Sequence, residues 1–226
     1  MFMISFNIYH KGKLVRQLST DGTLLFGQDE IPVRSQLEFA ENRLVGLRQG
    51  DTAVGLVILW EVEDYGKVLL QTTRLPERQN PYNLNLELVR GKLLRVSQKR
   101  EEWGMIDLET AEEHHELISA ALDKFIAALC QAADEPEKAS VLADEALNLA
   151  IRGGESMAMA HAKLFLERRS STQGLGRHSF GCCVDPTRFQ DQQYLKYIKD
   201  NFRFVTVPVS WRKIQPKEQE KEYKFL

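Results

Sequence analysis

The chain has 226 residues, 43% of them hydrophobic and 27% charged, a globular composition with enough apolar material for one large domain or two small ones. Its 30 Lys and Arg against 32 Asp and Glu leave a formal net charge of -2, which argues against wrapping a phosphate backbone, since that needs clustered cations. With 14 Gly and 7 Pro a collagen-like or broadly disordered chain is excluded, no run of about 20 apolar residues is present to span a membrane, and Cys130, Cys182 and Cys183 do not make a disulfide framework.

The first residues alternate: Ile4, Phe6 and Ile8 against Ser5, Asn7 and Tyr9. The first Lys follows this apolar run and Ser5 and Asn7 interrupt it, so the segment reads as a strand rather than an export signal, with a cytoplasmic protein as the default. Leu37 and Phe39 precede the turn pair Glu41-Asn42, and Leu44, Val45 and Leu47 follow it. Thr52 to Val62 is a β-branched run around Trp60, and Lys67 to Thr73 is another, with Gly66 between them. Period-2 segments broken at short intervals by Gly, Asp and Asn predict an antiparallel β-sandwich over residues 1–78.

Residues 80–169 change to a helical period. Pro81 is placed as a first helical residue with Asn80 as its cap. Leu86, Val89, Leu93, Val96 and Trp103 then share a stripe that Gly104 ends. A second helix is predicted from about Leu108 to Ala133, with Ile118, Leu122, Phe125, Ile126 and Leu129 as its buried face. Pro136 opens a third, on which Leu142, Ala146, Leu149, Gly153, Met157, Ala160 and Leu164 form one stripe; Gly153-Gly154 reads either as a close helix contact or as a break. The helices are expected to pack as hairpins.

Ser170 to Gly176 has linker composition. After it, Phe180 to Val184 is a short apolar run ending in Asp185-Pro186. Asp191 can cap a helix carrying Tyr194, Leu195, Ile198 and Phe202, and Phe204 to Val209 is a second apolar run. Strand, helix, strand is a βαβ unit with a parallel pair. Parallel sheets are covered on both faces, so residues 177–226 read as the opening of a larger α/β domain, cut off.

A family resemblance lies in this region. Phe204-Val205-Thr206-Val207-Pro208-Val209-Ser210-Trp211-Arg212-Lys213-Ile214-Gln215-Pro216, followed by Tyr223-Lys224-Phe225, resembles the second barrel strand of glycoside hydrolase family ten, the endo-1,4-β-xylanases. Phe180-Gly181-Cys182-Cys183-Val184-Asp185 is similar to that family's first strand. The resemblance implies the N-terminal portion of a family member, with a non-catalytic sandwich of the carbohydrate-binding-module type and a helical region before the first strands of a truncated (β/α)8 barrel. It also implies a retaining glycosidase, whose two carboxyl groups stand about 5–5.5 Å apart. The family carries those carboxylates on later strands, so the chain itself is expected to be inactive. The family's sugar-binding Glu-Asn pair and Lys have no match here: their positions hold Val207, Pro208, Val209 and Ser210, and Trp211 alone carries over.

The candidate substrate-binding residues are therefore Trp211 and Asp185, each just past the C-terminal end of a predicted parallel strand, where α/β barrels place their sites. For Trp211 the alternative is packing at the barrel mouth, and for Asp185 a turn-initiating Asp-Pro. His114-His115 looks like a metal pair, but neighbours on a helix point about 100° apart, and flanking Glu112, Glu113 and Glu116 fit a solvated helix end. No metal and no cofactor is expected. Cys182-Cys183 reads as strand core, with a Cys nucleophile served by His178 as the sharper alternative. Gly174-Leu175-Gly176 lacks the third glycine of a nucleotide loop. The pairs Lys99-Arg100 and Arg168-Arg169 suit helix C-termini, and Trp60 reads as core before sugar platform.

Three functions follow. The first is part of a glycoside hydrolase acting on xylan-like or other β-linked polysaccharide. The second is a non-catalytic carbohydrate-binding or scaffolding module, which needs an exposed row of aromatics. The third is a helical interaction protein, which needs an exposed apolar stripe on a helix. The expected partner is a polysaccharide or oligosaccharide, with neither nucleic acid nor membrane involved.

Overall fold

The computed structural model describes residues 2–106, 112–172 and 180–211, with the backbone alone at 112 and 113. The protein is of α+β class. Met1–Ala162 form one compact unit and Lys163–Leu226 a second.

In the first unit, β1 (Phe2–Asn7) pairs antiparallel with β6 (Arg43–Arg48), which pairs with β5 (Ser35–Ala40). Glu41 and Asn42, both at positive φ, make the two-residue turn between β5 and β6, the geometry that matches strand twist. A second sheet holds β4 (Leu24–Phe26), β7 (Gly55–Val62) and β8 (Gly66–Gln71), all antiparallel. A small hairpin joins β2 (Tyr9–His10) to β3 (Lys13–Leu14). Inward residues alternate as a half-buried strand requires: Ile4, Phe6, Leu25, Leu44, Leu56 and Ile58 are all within one hydrophobic core. Trp60 is buried in it as well.

The first helix begins later than Asn80-Pro81 suggests. Tyr82 and Asn83 form a short strand, β9, parallel to β1, and α1 runs over Leu84–Glu102. Asn83 is the cap, its side chain accepting from the Leu86 N–H at 3.4 Å. The reason is tertiary. The Tyr82 ring is buried 5.9 Å from that of Phe6, its hydroxyl donates to the Pro76 carbonyl at 2.8 Å, and Arg78 lies over it. Holding that ring in the sheet outweighs an early helix start at Pro81.

The second helix, α2 (Glu112–Gln131), corrects a predicted face. Ala121, Phe125 and Ala128 are buried, whereas Leu122, Ile126 and Leu129 are exposed. Alanines at the contact let the helices approach closely, and the larger aliphatic groups are turned outward. The third, α3 (Pro136–Thr172), runs unbroken through Gly153-Gly154. A Cβ at Gly153 would stand 2.9 Å from Ile118 Cγ1 and 3.2 Å from Leu117 Cβ, so this glycine is a close helix contact and not a break. Ser170, Ser171 and Thr172, expected in a linker, are helical; the Ser171 and Thr172 hydroxyls donate back to the Arg168 carbonyl. The rest of that linker, residues 173–176, lies outside the described residues.

In the second unit, β10 (Gly181–Cys183) and β11 (Phe204–Thr206) pair in parallel, Gly181 opposite Phe204 and Cys183 opposite Thr206. Between them lies α4 (Gln192–Asn201), where one Asp191 oxygen accepts from the Gln193 and Tyr194 N–H groups, each at 3.0 Å. Every residue of β11 is exposed and no residue of α4 is buried. Among the described residues no barrel is formed, and no helix is long and apolar enough to cross a membrane.

Candidate functional site

Two places carry candidate chemistry, one in each unit. In the second unit Asp185 lies two residues past β10 and caps a single 3-10 turn, Pro186–Arg188. Its Oδ1 accepts from the Thr187 N–H at 3.0 Å and from the Thr187 hydroxyl at 2.7 Å, while its own N–H donates to the Tyr194 hydroxyl at 2.8 Å. The side chain is thus engaged in turn formation, as Asp-Pro sequences favour. Arg188 lies over the Tyr194 ring and pairs with Asp191 at 2.9 Å. The backbone N–H of Tyr194, then the Arg188 side chain, hold the Asp191 carboxyl below the usual carboxylate range.

Trp211 lies beyond β11 and is 76% exposed. Because β10 and β11 run in parallel, Asp185 and Trp211 both follow the C-terminal end of their strands. Cys182 is half-buried and Cys183 exposed. His178, Gly174 to Gly176 and Ile214 to Pro216 lie outside the described residues.

His114 and His115 diverge as helical neighbours must. His114 is buried, and His115 is exposed with Nδ1 3.4 Å from the Arg100 guanidinium. Among the described residues no three His, Cys, Asp or Glu side chains converge in a way that could hold a metal ion. Lys99 pairs with Glu102, within the last turn of α1.

The sequence reading missed a cavity in the first unit of about 910 Å³, walled by the β2–β3 hairpin at His10 and Lys11, by the end of β7 at Trp60, and by Asp144 and Asn148 of α3. Glu61, Glu63 and Asp64 stand on its β7 side. Asp144 is its distinctive group. Burial pushes its carboxyl up to about 6, against the lowering effect of a hydrogen bond from Asn85. That bond runs from Asn85 Nδ2 to Asp144 Oδ1 at 2.8 Å. The same amide holds Tyr9 at both backbone groups: Oδ1 accepts the Tyr9 N–H at 3.1 Å and Nδ2 donates to the Tyr9 carbonyl at 3.0 Å. A partly desolvated carboxyl of this kind exchanges a proton near neutrality. The sequence signal was an acid set among Ala143, Ala146 and Leu147, all of which are buried.

Comparison with known protein families, with curated proteins and with solved structures found no match to this chain.

Proposed function

We propose that the chain is the N-terminal part of a glycoside hydrolase acting on xylan-like β-linked polysaccharide, supplying substrate contacts and not the catalytic carboxylates. On this reading β10, α4 and β11 open a (β/α)8 barrel, and the sheets and helices before them are its non-catalytic sandwich and helical region. The observation that supports it is the parallel pairing of β10 with β11, which sends Asp185 and Trp211 out past the same end of the two strands. That is the end where barrels of this class build their sites. An exposed indole also suits stacking on a sugar ring, because its apolar face is large and rigid.

The test is titration with a β-1,4-xylo-oligosaccharide, alongside an assay for reducing sugar released from xylan. We expect no release, and weak binding with Kd of about 1 mM, equivalent to about -4 kcal/mol, that Trp211→Ala abolishes. Binding unaffected by that substitution, or absent from the unsubstituted chain, counts against the reading.

A second reading, a helical protein-interaction module, draws on the exposed stripe Leu122, Ile126 and Leu129 of α2. Their i, i+4, i+7 spacing puts them on one face. The remaining alternative, a sugar-binding sandwich, has less support: among the described residues none of the large apolar side chains exposed from Met3 to Met159 is aromatic, and Trp60 is buried.

A further inference from the structure

Two side chains on the cavity face of α3 are each fastened by one atom and leave an oxygen over. Asn85 is 1% exposed, and its Oδ1 accepts the Tyr9 N–H at 3.1 Å, so the amide cannot turn over. Nδ2 then donates both of its hydrogens, to the Tyr9 carbonyl at 3.0 Å and to Asp144 Oδ1 at 2.8 Å. Asp144 is held by that oxygen, and its Oδ2 accepts no hydrogen bond among the described residues. One turn along the helix, Asn148 Nδ2 donates to the Glu63 carbonyl at 2.9 Å. A carbonyl takes only a donor, so this amide is oriented as well, and Asn148 Oδ1 remains an acceptor with no donor among the described residues.

Residues four apart on a helix share a face, and Asp144 and Asn148 both line the cavity. The other walls are fixed to the same helix. The hairpin turn rests on it, since a Cβ on Gly12 would be 3.0 Å from Val141 Cγ2. The β7–β8 turn is held by Asn148 through Glu63, and by Glu155, which accepts from the Tyr65 hydroxyl at 3.1 Å. Trp60, Val141 and Leu147 give the cavity an apolar lining, and Glu61, Glu63 and Asp64 carry negative charge on the wall across from α3. Glu145 is already paired with Lys124. Lys11 and His10 are the cations of the lining, and among the described residues neither pairs with a carboxylate.

We propose that this cavity binds an aliphatic diamine, one ammonium group donating to Asp144 Oδ2 and Asn148 Oδ1 and the other facing the carboxylates of Glu61, Glu63 and Asp64. An ammonium group has three N–H donors and no acceptor, which matches two acceptor oxygens presented on one helix face. The bond to the carboxylate is charge-assisted, roughly twice as strong as a neutral one. The methylene chain between the two charges suits the apolar lining, and a cavity of about 910 Å³ falls within the range of small-molecule sites, about 300–1,000 Å³. A divalent metal ion fits less well: among the described residues no three acidic, His or Cys side chains converge on one point. Carboxylates on facing walls answer two charges held apart by a chain.

The experiment is titration of the whole chain with butane-1,4-diamine at constant pH and ionic strength, followed by NMR shifts of the Asn85 and Asn148 side-chain amides. Saturable binding with Kd of about 1 mM or tighter is expected. The same diamine with both nitrogens fully methylated keeps the charge and has no N–H to donate, so it should bind at least about 10-fold more weakly. Butylamine leaves the second wall unanswered and should bind about 3- to 10-fold more weakly. Asp144→Asn keeps the Asn85 bond through its amide oxygen but offers an N–H in place of Oδ2, and should lose about 10-fold or more. Asp123→Asn, on the exposed side of α2, should bind as the unsubstituted chain does. Absence of saturable binding overturns the proposal without recourse to any variant. Equal affinity for the methylated diamine or for butylamine, or equal losses in the two variants, overturns it as well.

Discussion

Gly91 of α1 lies directly against the carbonyl oxygen of Gln71, so that a Cβ added there would overlap that backbone atom. The helix thereby closes on the last residue of β8, an edge strand. A backbone carbonyl cannot swing aside as a side chain can, so Gly91→Ala should destabilise by about 1–3 kcal/mol despite the better helix propensity of alanine. Gly154 is the contrast: the atoms nearest to its Cβ would be Val96 Cγ2 at 3.2 Å and the end of Lys92 at 3.8 Å, side chains and not backbone. There Gly154→Ala should be neutral or stabilising by up to about 1 kcal/mol. Denaturant unfolding of both variants checks the pair, and equal effects would contradict the packing described.

The second prediction concerns global stability and Asp144. Its folded carboxyl titrates at about 6 against an ordinary 3.8. Between these values the folded chain holds a proton that the unfolded chain has released. Stability from this group is therefore lost as pH rises from about 4 to about 6, and the loss is complete above that, on the order of 3 kcal/mol at most. Asp144→Asn should match the unsubstituted chain near pH 4 and exceed it by about 1–3 kcal/mol at pH 8. Urea unfolding at the two pH values tests the sign as well as the size.

The third tests which side of α2 is core. Phe125 is buried with the alanines, so Phe125→Ala should cost about 3–5 kcal/mol. Ile126, its neighbour in sequence, is 55% exposed, and Ile126→Lys should stay within about 0.5 kcal/mol. Thermal unfolding of the two variants separates the faces, and a large loss in Ile126→Lys would restore the face expected from the sequence.

A fourth prediction compares the units. Ile58 and Trp60 are buried in β7, the middle strand of a three-stranded sheet, while all three residues of β11 are exposed in a sheet of two strands. Burial of apolar surface contributes about 25 cal/mol per Å² and must offset backbone ordering of about 1–2 kcal/mol per residue. The amides of β11 should therefore exchange much faster than those of β7. Comparable protection in dilute solution would mean that β11 has cover this unit does not itself provide.

What the sequence determined by itself is what short-range chemistry decides. Glu41-Asn42 makes a turn because two adjacent residues adopt positive φ, and Asp191 caps α4 because its carboxyl reaches N–H groups two and three residues on. Pro136 starts α3 for a similarly local reason. The parallel pair of β10 and β11 was legible because a single helix separates two apolar runs. The tertiary structure decided the rest through competition between distant groups. Asn80-Pro81 yielded to Asn83 because Tyr82 is held by Phe6, Arg78 and Pro76. The face of α2 rotated because alanine permits a closer helix approach than leucine, a matter of fit that periodicity does not register. Asp144 acquired its raised proton affinity from burial beside Asn85, 59 positions away along the chain, because desolvation depends on what surrounds a group in space.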